Sequence, residues 1–200
     1  MIQQVGKQLY SKRFYLGGGT AIALQLGHRV SEDLDFFSEE DELLGDSRNE
    51  IISTFGDVDA MITSTTGPLV FTAHNVRTGF FGYGYPLMDD KLEFENVHVA
   101  SLLDLGLMKL DALAGRASRK DFFDIYFLAQ QVPLEKLLAQ AAKKFPRFSN
   151  FALNAIENLV YFDYVEGQDS PALLRHVEWE QVKKFFVAEA KRLSKSWYGL

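Results

Sequence analysis

Two aspartates and a run of glycines are the residues of this chain whose types and spacing could do chemistry. Residues 17–19 are all glycine and precede Thr20, and Asp33 and Asp35 follow further along the chain. Backbone N–H groups of a glycine turn can approach a phosphate closely, and paired carboxylates can hold a divalent metal ion. Together these residues predict metal-assisted transfer from a nucleoside triphosphate, whereas either group alone would be weak evidence.

Short elements must position these groups. A β-type run over 13–16 ends in the glycines, and Thr20 then opens a helix for which Gly27 is a stop signal. The segment 33–37 alternates polar and apolar residues, so a strand there would put both aspartates on one face. The glycine turn would bring a helix N-terminus, which attracts phosphate, beside the aspartate strand.

Each of these residues also has an ordinary interpretation. The two aspartates could be solvated side chains on the open face of an edge strand. Thr20 could offer its hydroxyl to a phosphate or cap the helix. Arg29 could pair with a phosphate or lie solvated on the surface, and we expect His28 to orient a loop rather than to act as a base.

The rest of the chain reads as a sheet-bearing first half and a helical second half. In the first half the pattern predicts a helix over 40–54 and strands, paired antiparallel, over 58–65, 69–74 and 76–83. In the second half it predicts helices over 101–113, 119–130, 134–144, 151–159 and 178–194. The change near residue 100 therefore predicts two lobes.

Three charged residues of the helical half need an explanation. Lys109 lies in an apolar stripe of its predicted helix, which is costly unless the side chain reaches solvent or meets an anion such as a phosphate. Asp104 and Asp121 each follow a serine by three positions. That spacing is typical of a helix capping box and predicts a capping role for both carboxylates.

Composition narrows the class of protein. The 200 residues are 47% hydrophobic, carry a net charge of −6 and include no cysteine. Disulfide frameworks and thiolate metal sites are thereby excluded, and the surface as a whole is not a nucleic-acid-binding one. The first residues lack the apolar core of a signal peptide, and no stretch has the roughly 20 apolar residues of a membrane span. We expect a soluble cytoplasmic protein without membrane contact.

Three groups of residues resemble the motifs of polymerase-beta-type nucleotidyltransferases, and more narrowly those of the AbiEii/AbiGii-like toxins. The groups are Gly18, Gly19, Thr20, His28, Arg29, Ser31 and residues 33–36; Asp104 with Lys109; and Arg116, Arg119, Lys120 and Asp121 with residues 124–126. Their order and approximate spacing are kept. The combination is specific, although each piece is not.

The resemblance implies an α+β fold, with a nucleotidyltransferase-like mixed sheet and flanking helices over 1–100 and a helical lobe over 101–200 completing the active-site cleft. It implies Mg²⁺ as cofactor and an NTP as co-substrate, with Asp33 and Asp35 as catalytic metal ligands. Lys109 would contact the triphosphate, and Asp121 would be catalytic or a late ligand. The nucleotide-binding residues implied are Gly18, Gly19, Thr20, Arg29, Ser31 and Lys109.

The function implied is transfer of a nucleoside monophosphate to an acceptor hydroxyl. Similar enzymes are toxins of abortive-infection or toxin–antitoxin systems, and some branches add nucleotides to tRNA. The expected partners are therefore the NTP, tRNA or another RNA acceptor, and a cognate antitoxin protein.

One departure from the superfamily pattern keeps an alternative open. Many members carry a third metal-binding acid on a later central strand, but the matching segment, 75–81, has none, and Glu93 and Glu95 lie beyond a predicted turn at Pro86. Either Asp121 completes the site or metal binding is weak. The alternative function is a catalytically weak NTP-binding or partner-binding member of the same fold.

Aromatic residues near the C-terminus leave a third class open, that of an interaction protein. They would form either a docking surface or the core of the helical lobe. The residues are Trp179, Phe185, Phe186, Trp197 and Tyr198.

Overall fold

The computed structural model describes residues 1–56, 58–61 and 66–199, apart from the side chain of Tyr198. The chain divides into two compact units. The first consists of Met1–Ala21 and Ser31–Ser101, and the second of Ile22–Val30 and Leu102–Leu200. The helix Gly18–Leu26 therefore starts in the first unit and ends in the second.

A mixed sheet forms the first unit. Its strands are β1 (Tyr15–Leu16), β2 (Leu34–Ser38), β3 (Ala60–Met61), β4 (Leu69–Ala73), β5 (Val76–Gly82), β6 (Leu92–Phe94) and β7 (Val97–Val99). Their order across the sheet is β3-β4-β5-β2-β1-β7-β6. The pairs β2–β5 and β1–β7 are parallel and the other neighbours are antiparallel.

The predicted antiparallel pairing of β3, β4 and β5 is confirmed. Of the predicted strand over 58–65, residues 60 and 61 form β3, and residues 62–65 lie outside the described residues.

The helices flank this sheet or form the second unit. They are α1 (Ile2–Gly6), α2 (Gly18–Leu26), α3 (Gly45–Phe55), α4 (Leu102–Arg116), α5 (Arg119–Leu128), α6 (Leu134–Lys144), α7 (Phe151–Asn158) and α8 (Trp179–Tyr198), with a 3₁₀ helix at Leu9–Arg13. No helix among the described residues is long and apolar enough to cross a membrane.

The core of the first unit lies on one face of the central strands. Leu34 and Phe36 of β2 are buried, as the alternation in sequence predicts. The Phe36 ring stacks on Phe80 of β5 at 4.8 Å, and Phe14 meets Phe80 edge-on at 5.2 Å. Because side chains alternate along a strand, this packing fixes which way Asp35 points, away from the aromatic cluster.

The predicted helix over 40–54 begins later than expected, at Gly45. Polar side chains hold the preceding residues in a turn: the N–H groups of Glu40 and Asp41 donate to Ser38 Oγ, and Leu43 N–H donates to Asp41 Oδ1. Leu43 has a φ of 58°, which a right-handed helix does not allow. These local hydrogen bonds compete successfully with helix formation.

The second unit is helical, and α6 has the predicted bounds. Helix α4 extends beyond the predicted end at residue 113 and stops at Arg116. Close packing explains a glycine within α4, because a Cβ on Gly106 would lie 2.8 Å from the Leu137 side chain of α6 and 3.0 Å from that of Leu128. The α+β class with a mixed sheet is confirmed; the use of the two halves as lobes of one cleft stays a prediction.

Candidate active site

Asp33 and Asp35 lie at the start of β2 in the first unit. Asp33 directly precedes β2 and Asp35 is its second residue, on the face opposite Leu34 and Phe36. The side chains of Asp33 and Asp35 are 41% and 24% exposed. The predicted shared face is therefore confirmed, and both carboxylates can reach a ligand from solvent.

Two glycines border the carboxylate of Asp35. Gly18 has a φ of 63°, and a Cβ there would lie 2.7 Å from Asp35 Oδ2. Gly79 of β5 is the register partner of Asp35, and a Cβ on it would lie 2.5 Å from the Phe81 ring and 3.2 Å from Asp35 Oδ1. At Gly18 only glycine avoids the overlap with Asp35, and the left-handed φ there is also costly for other residues.

Hydrogen bonds tie the glycine turn to the aspartate strand. Gly17 N–H donates to the carbonyl of Asp35 at 2.8 Å. The Thr20 hydroxyl donates to the carbonyl of Asp33 and lies 2.9 Å from Ser31 Oγ. The capping prediction for Thr20 is wrong, because α2 starts two residues earlier and the hydroxyl holds the residues before β2 instead. The nucleotide-binding roles of Gly18, Gly19, Thr20 and Ser31 stay predictions.

Arg77 of β5 brings a positive charge to the face of the sheet that carries Asp33 and Asp35. It was not among the candidate residues taken from the sequence. Its Nη1 lies 3.9 Å from Asp33 Oδ2 and 3.7 Å from Asp35 Oδ1. Glu93 lies on β6, which β1 and β7 separate from β2. Among the described residues, no three or more His, Cys, Asp or Glu side chains form a group that could hold a metal ion.

The residues present fit a magnesium ion that is shared with a substrate. Two carboxylates offer hard oxygen ligands, and Mg²⁺ is commonly held by one or two carboxylates together with substrate phosphates. The absence of a Cβ at Gly18 lets the Asp35 carboxylate lie directly against the first residue of α2. Two carboxylates alone are fewer ligands than a complete metal cage, so a divalent ion here would need oxygen ligands from a substrate.

A buried ion cluster occupies the second unit. Lys109 Nζ of α4 donates to Asp121 Oδ1 at 2.5 Å and lies 2.8 Å from Asp124 Oδ2. Lys109, Asp121 and Asp124 are all at least nine-tenths buried. The expected anion in the apolar stripe is thus supplied by the chain's own α5. The predicted contact of Lys109 with a triphosphate stays a prediction.

His28 and Arg29 join this cluster from the segment after α2. Arg29 Nε donates to Asp124 Oδ1 at 2.6 Å and its Nη2 donates to Asp124 Oδ2 at 3.0 Å, and His28 Nε2 lies 2.8 Å from Asp124 Oδ1. Both residues are buried, so the solvated surface position weighed for Arg29 is wrong. The contact of His28 with Asp124 is compatible with the predicted orienting role, which stays a prediction. The assignment of Arg29 to nucleotide binding remains a prediction.

The opposite charges of the cluster stabilise the ionised forms of Lys109, Asp121 and Asp124. Burial alone would raise the pKa of Asp124, but Lys109, His28 and Arg29 outweigh it and hold that pKa well below its usual range. Burial would also raise the pKa of Asp121, but Lys109 outweighs this effect, so the pKa of Asp121 is lowered. The pKa of Lys109 is raised, because the two carboxylates overcome the effect of burial. All three groups are therefore charged at neutral pH.

Of the two predicted helix caps, that of Asp121 is confirmed and that of Asp104 stays a prediction. Asp121 Oδ2 accepts hydrogen bonds from the N–H and the hydroxyl of Ser118, so its capping box is confirmed. Asp104 is fully buried and accepts a 2.7 Å hydrogen bond from Lys144 Nζ. Sequence spacing did not reveal this pair, because Lys144 belongs to another helix.

Asp124 is the residue that sequence reasoning underestimated. It binds three basic side chains, yet it entered only as part of a motif and not as a candidate site residue. Its position three residues after Asp121 puts both carboxylates on one side of α5. That spacing within an aromatic helix was the available signal.

The aromatic residues near the C-terminus belong partly to the core. Phe186 is fully buried. The Trp179 ring lies 5.7 Å from Phe122 and 5.8 Å from Phe162. The core interpretation is therefore confirmed for Phe186 and supported for Trp179. Trp197 is 39% exposed, and the side chain of Tyr198 lies outside the described residues.

Comparison with known proteins identifies the family. The profile of the family described as nucleotidyl transferase AbiEii toxin, type IV toxin–antitoxin system, matches residues 2–85 and 82–194. The chain belongs to this family. It is a nucleotidyltransferase of the AbiEii toxin type, as its motifs predicted.

This AbiEii chain is also similar to one further protein sequence and to solved structures. An uncharacterized protein of Aquifex aeolicus is 32% identical over 188 residues, which cover 89% of this chain and 86% of that protein. The solved structure of MenT4, a nucleotidyltransferase toxin of Mycobacterium tuberculosis, has a TM-score of 0.61 at 15% identity and covers 96% of this chain and 81% of its own. A putative nucleotidyltransferase of H. pylori has a TM-score of 0.55 at 16% identity, with 98% and 90% covered. At such identities these two structures show that the fold is shared.

Proposed function

We propose that this AbiEii chain is a magnesium-dependent enzyme that transfers a nucleoside monophosphate from an NTP to a hydroxyl of an RNA acceptor such as tRNA. One observation carries the proposal: Asp33 and Asp35 share the solvent-facing side of β2, and the Asp35 carboxylate lies directly against Gly18, the first residue of α2. A pair of carboxylates beside a helix N-terminus suits a metal–triphosphate complex.

The chain's own residues position the reactants. Asp33 and Asp35 would hold the ion, and the glycine turn would bring N–H groups of the α2 N-terminus to the phosphates. The ion, when bound, neutralises charge on the triphosphate and lowers the pKa of a hydroxyl that it binds. The acceptor oxygen bonds to the α-phosphorus and its proton passes to solvent water, while the bond between the α-phosphorus and the oxygen that bridges to the β-phosphorus breaks and pyrophosphate leaves. Positioning and charge neutralisation supply most of the rate enhancement.

The residues of the second unit keep the roles that their motifs suggest, as part of the proposal. Lys109 is proposed to act on the triphosphate and Asp121 in catalysis, and Arg29 to act through Asp124 rather than by direct contact. Their burial supports at least a positioning role, because groups locked by ion pairs hold a fixed geometry.

The proposed setting is that of a toxin with a partner. Family membership supports a cognate antitoxin protein and a role in a toxin–antitoxin or abortive-infection system. An enzyme that consumes NTP needs the compartment in which NTPs are made, which supports a cytoplasmic location.

The test is transfer of label from each of the four α-³²P-labelled NTPs, with Mg²⁺, to total cellular RNA. The wild type is expected to label one RNA pool with one preferred NTP. Asp35→Asn should abolish labelling, since it removes one of two metal ligands. Glu93→Gln, which removes an exposed carboxylate on β6, is the matched control and should retain full activity. Labelling by Asp35→Asn at the wild-type rate would disprove the assignment.

A second candidate function is favoured by the presence of Arg77 where β5 faces the aspartates. A protein of this fold that binds NTP without turning it over needs no complete metal site. Equilibrium binding of an NTP by the wild type, with no labelled product from RNA, protein or small-molecule acceptors, would select this function over transfer.

A further inference from the structure

Arg77 is placed to act on the same two carboxylates as a metal ion. The parallel register pairs Asp35 with Gly79 and Leu34 with Thr78. One residue earlier in each segment, Arg77 of β5 therefore lies beside Asp33, which directly precedes β2. The guanidinium lies 3.7 Å from one carboxylate and 3.9 Å from the other. These distances describe an ionic contact rather than a hydrogen bond.

The contact of Arg77 with the two carboxylates is close enough to weaken their binding of a cation, yet weak enough to be exchanged for a contact with another anion. A unit positive charge at this distance lowers the attraction of both carboxylates for a second cation. At the same time the Arg77 side chain is 44% exposed, and exposed ion pairs are weak. The guanidinium can therefore turn to another anion when one arrives, and its planar fork suits phosphate oxygens.

We propose that Arg77 makes metal binding by Asp33 and Asp35 depend on the nucleotide. Without a triphosphate, the guanidinium neutralises part of the charge of the pair and keeps a free divalent ion out. With a triphosphate, Arg77 binds phosphate oxygens and releases the carboxylates to the ion, so the metal enters as its NTP complex. The inference rests on the proposed function, because it assumes that the site takes a metal–triphosphate complex.

The first experiment measures binding of free Mn²⁺ to the protein without nucleotide, from the electron paramagnetic resonance signal of unbound Mn²⁺. The wild type should bind weakly, and Arg77→Gln should bind about tenfold more tightly, which corresponds to about 1.4 kcal/mol. Arg147→Gln removes the same charge from an exposed position after α6 and should leave the Kd for Mn²⁺ unchanged. An unchanged Kd in Arg77→Gln would overturn the proposal.

The second experiment measures binding of each of the four NTPs in the presence of Mn²⁺ by calorimetry. Here the order reverses, and Arg77→Gln should bind the preferred Mn²⁺–NTP about tenfold more weakly than the wild type. Arg77→Lys keeps the charge but loses the fork. It should exclude free Mn²⁺ as the wild type does and still bind the Mn²⁺–NTP more weakly, which keeps the test open if the glutamine variant does not fold.

The two failures are distinguishable. If the wild type binds none of the four Mn²⁺–NTP complexes, the proposed function fails and this inference fails with it. If the wild type binds one of them but Arg77→Gln leaves the Kd for free Mn²⁺ unchanged, or Arg77→Lys binds the Mn²⁺–NTP as tightly as the wild type, only the role of Arg77 is disproved.

Discussion

At the scale of single residues, the position of the Asp35 carboxylate depends on the absence of a Cβ atom at Gly18. Gly18 combines a left-handed backbone with a carboxylate where its Cβ would be, whereas a Cβ on Gly79 would first meet the ring of Phe81. The position of the Asp35 carboxylate, the proposed metal ligand, therefore depends on the absence of a side chain at Gly18. Residue type in this glycine run therefore carries functional information beyond turn formation.

Gly18→Ala tests this point. The added methyl should displace the Asp35 carboxylate, so that nucleotidyl transfer falls at least tenfold, and the left-handed backbone should cost roughly 1 kcal/mol of stability. The measurements are the rate of label transfer and the urea-unfolding free energy.

Gly84→Ala is the matched control for Gly18→Ala. Gly84 has a φ of 68° and nothing within 4 Å of its Cβ position, so it should show the same stability loss and full activity. Equal activity of the two variants would contradict the role given to Gly18.

Sequence patterns could predict the aspartate pair but not the ion cluster. Alternation within β2 fixes the direction of Asp35 from neighbours one or two positions away. Arg29 and Asp124 are 95 positions apart, and their pairing follows from tertiary structure alone. A basic residue in a loop looks like a surface or ligand-binding residue until its partner is known, which is why both interpretations of Arg29 omitted Asp124.

At the scale of elements, long periodic segments were predictable and short ones were not. Helix α6 has 11 residues with a strong apolar face and was predicted with its observed bounds. Strands β6 and β7 have three residues each and were not predicted, because three residues do not establish a period. The parallel pairing of β7 with β1 joins residues over 80 positions apart, which no local pattern can show.

The hairpin between β4 and β5 gives a prediction at this scale. Its two turn residues, His74 and Asn75, have φ values of 51° and 61°, as in a type I′ turn. Glycine suits the second position better than asparagine, so Asn75→Gly should stabilise the protein, by less than the roughly 1 kcal/mol that this conformation costs an ordinary residue.

The measurement for Asn75→Gly is again the urea-unfolding free energy. Asn96→Gly, at φ 61° in the turn between β6 and β7, should have a similar effect. Ala replacements at the same two positions should destabilise instead. A loss of stability in both glycine variants would show that these side chains contribute more than their backbone conformation does.

At the scale of the whole molecule, the buried cluster should set the acid stability. Asp121 and Asp124 have pKa values lowered from 3.8, so their contribution is complete above that pH and is lost as the pH falls below it. The pKa of Lys109 is raised from 10.5, so its contribution is complete below that pH and is lost above it. Between these limits the cluster should contribute a constant free energy.

Asp124→Asn should therefore lower the unfolding free energy at pH 7 by about 3 kcal/mol, since it leaves buried cations with less opposing charge. It should also flatten the loss of stability between pH 4 and about pH 2.5. Urea denaturation at several pH values measures both effects. Asp169→Asn, at an exposed position of the same unit, should match the wild type. A wild-type acid profile in Asp124→Asn would assign the acid sensitivity to other carboxylates.

The assignment of Ile22–Val30 to the helical unit has a practical consequence for anyone who divides the gene. A fragment that stops at Ser101 would carry His28 and Arg29 without their acidic counterpart, and a fragment that starts at Leu102 would carry Asp124 without them. We expect neither piece to fold stably on its own. Co-expression of the complementary pieces, or a circularly permuted gene that keeps this segment joined to the helices, would keep His28 and Arg29 together with Asp124.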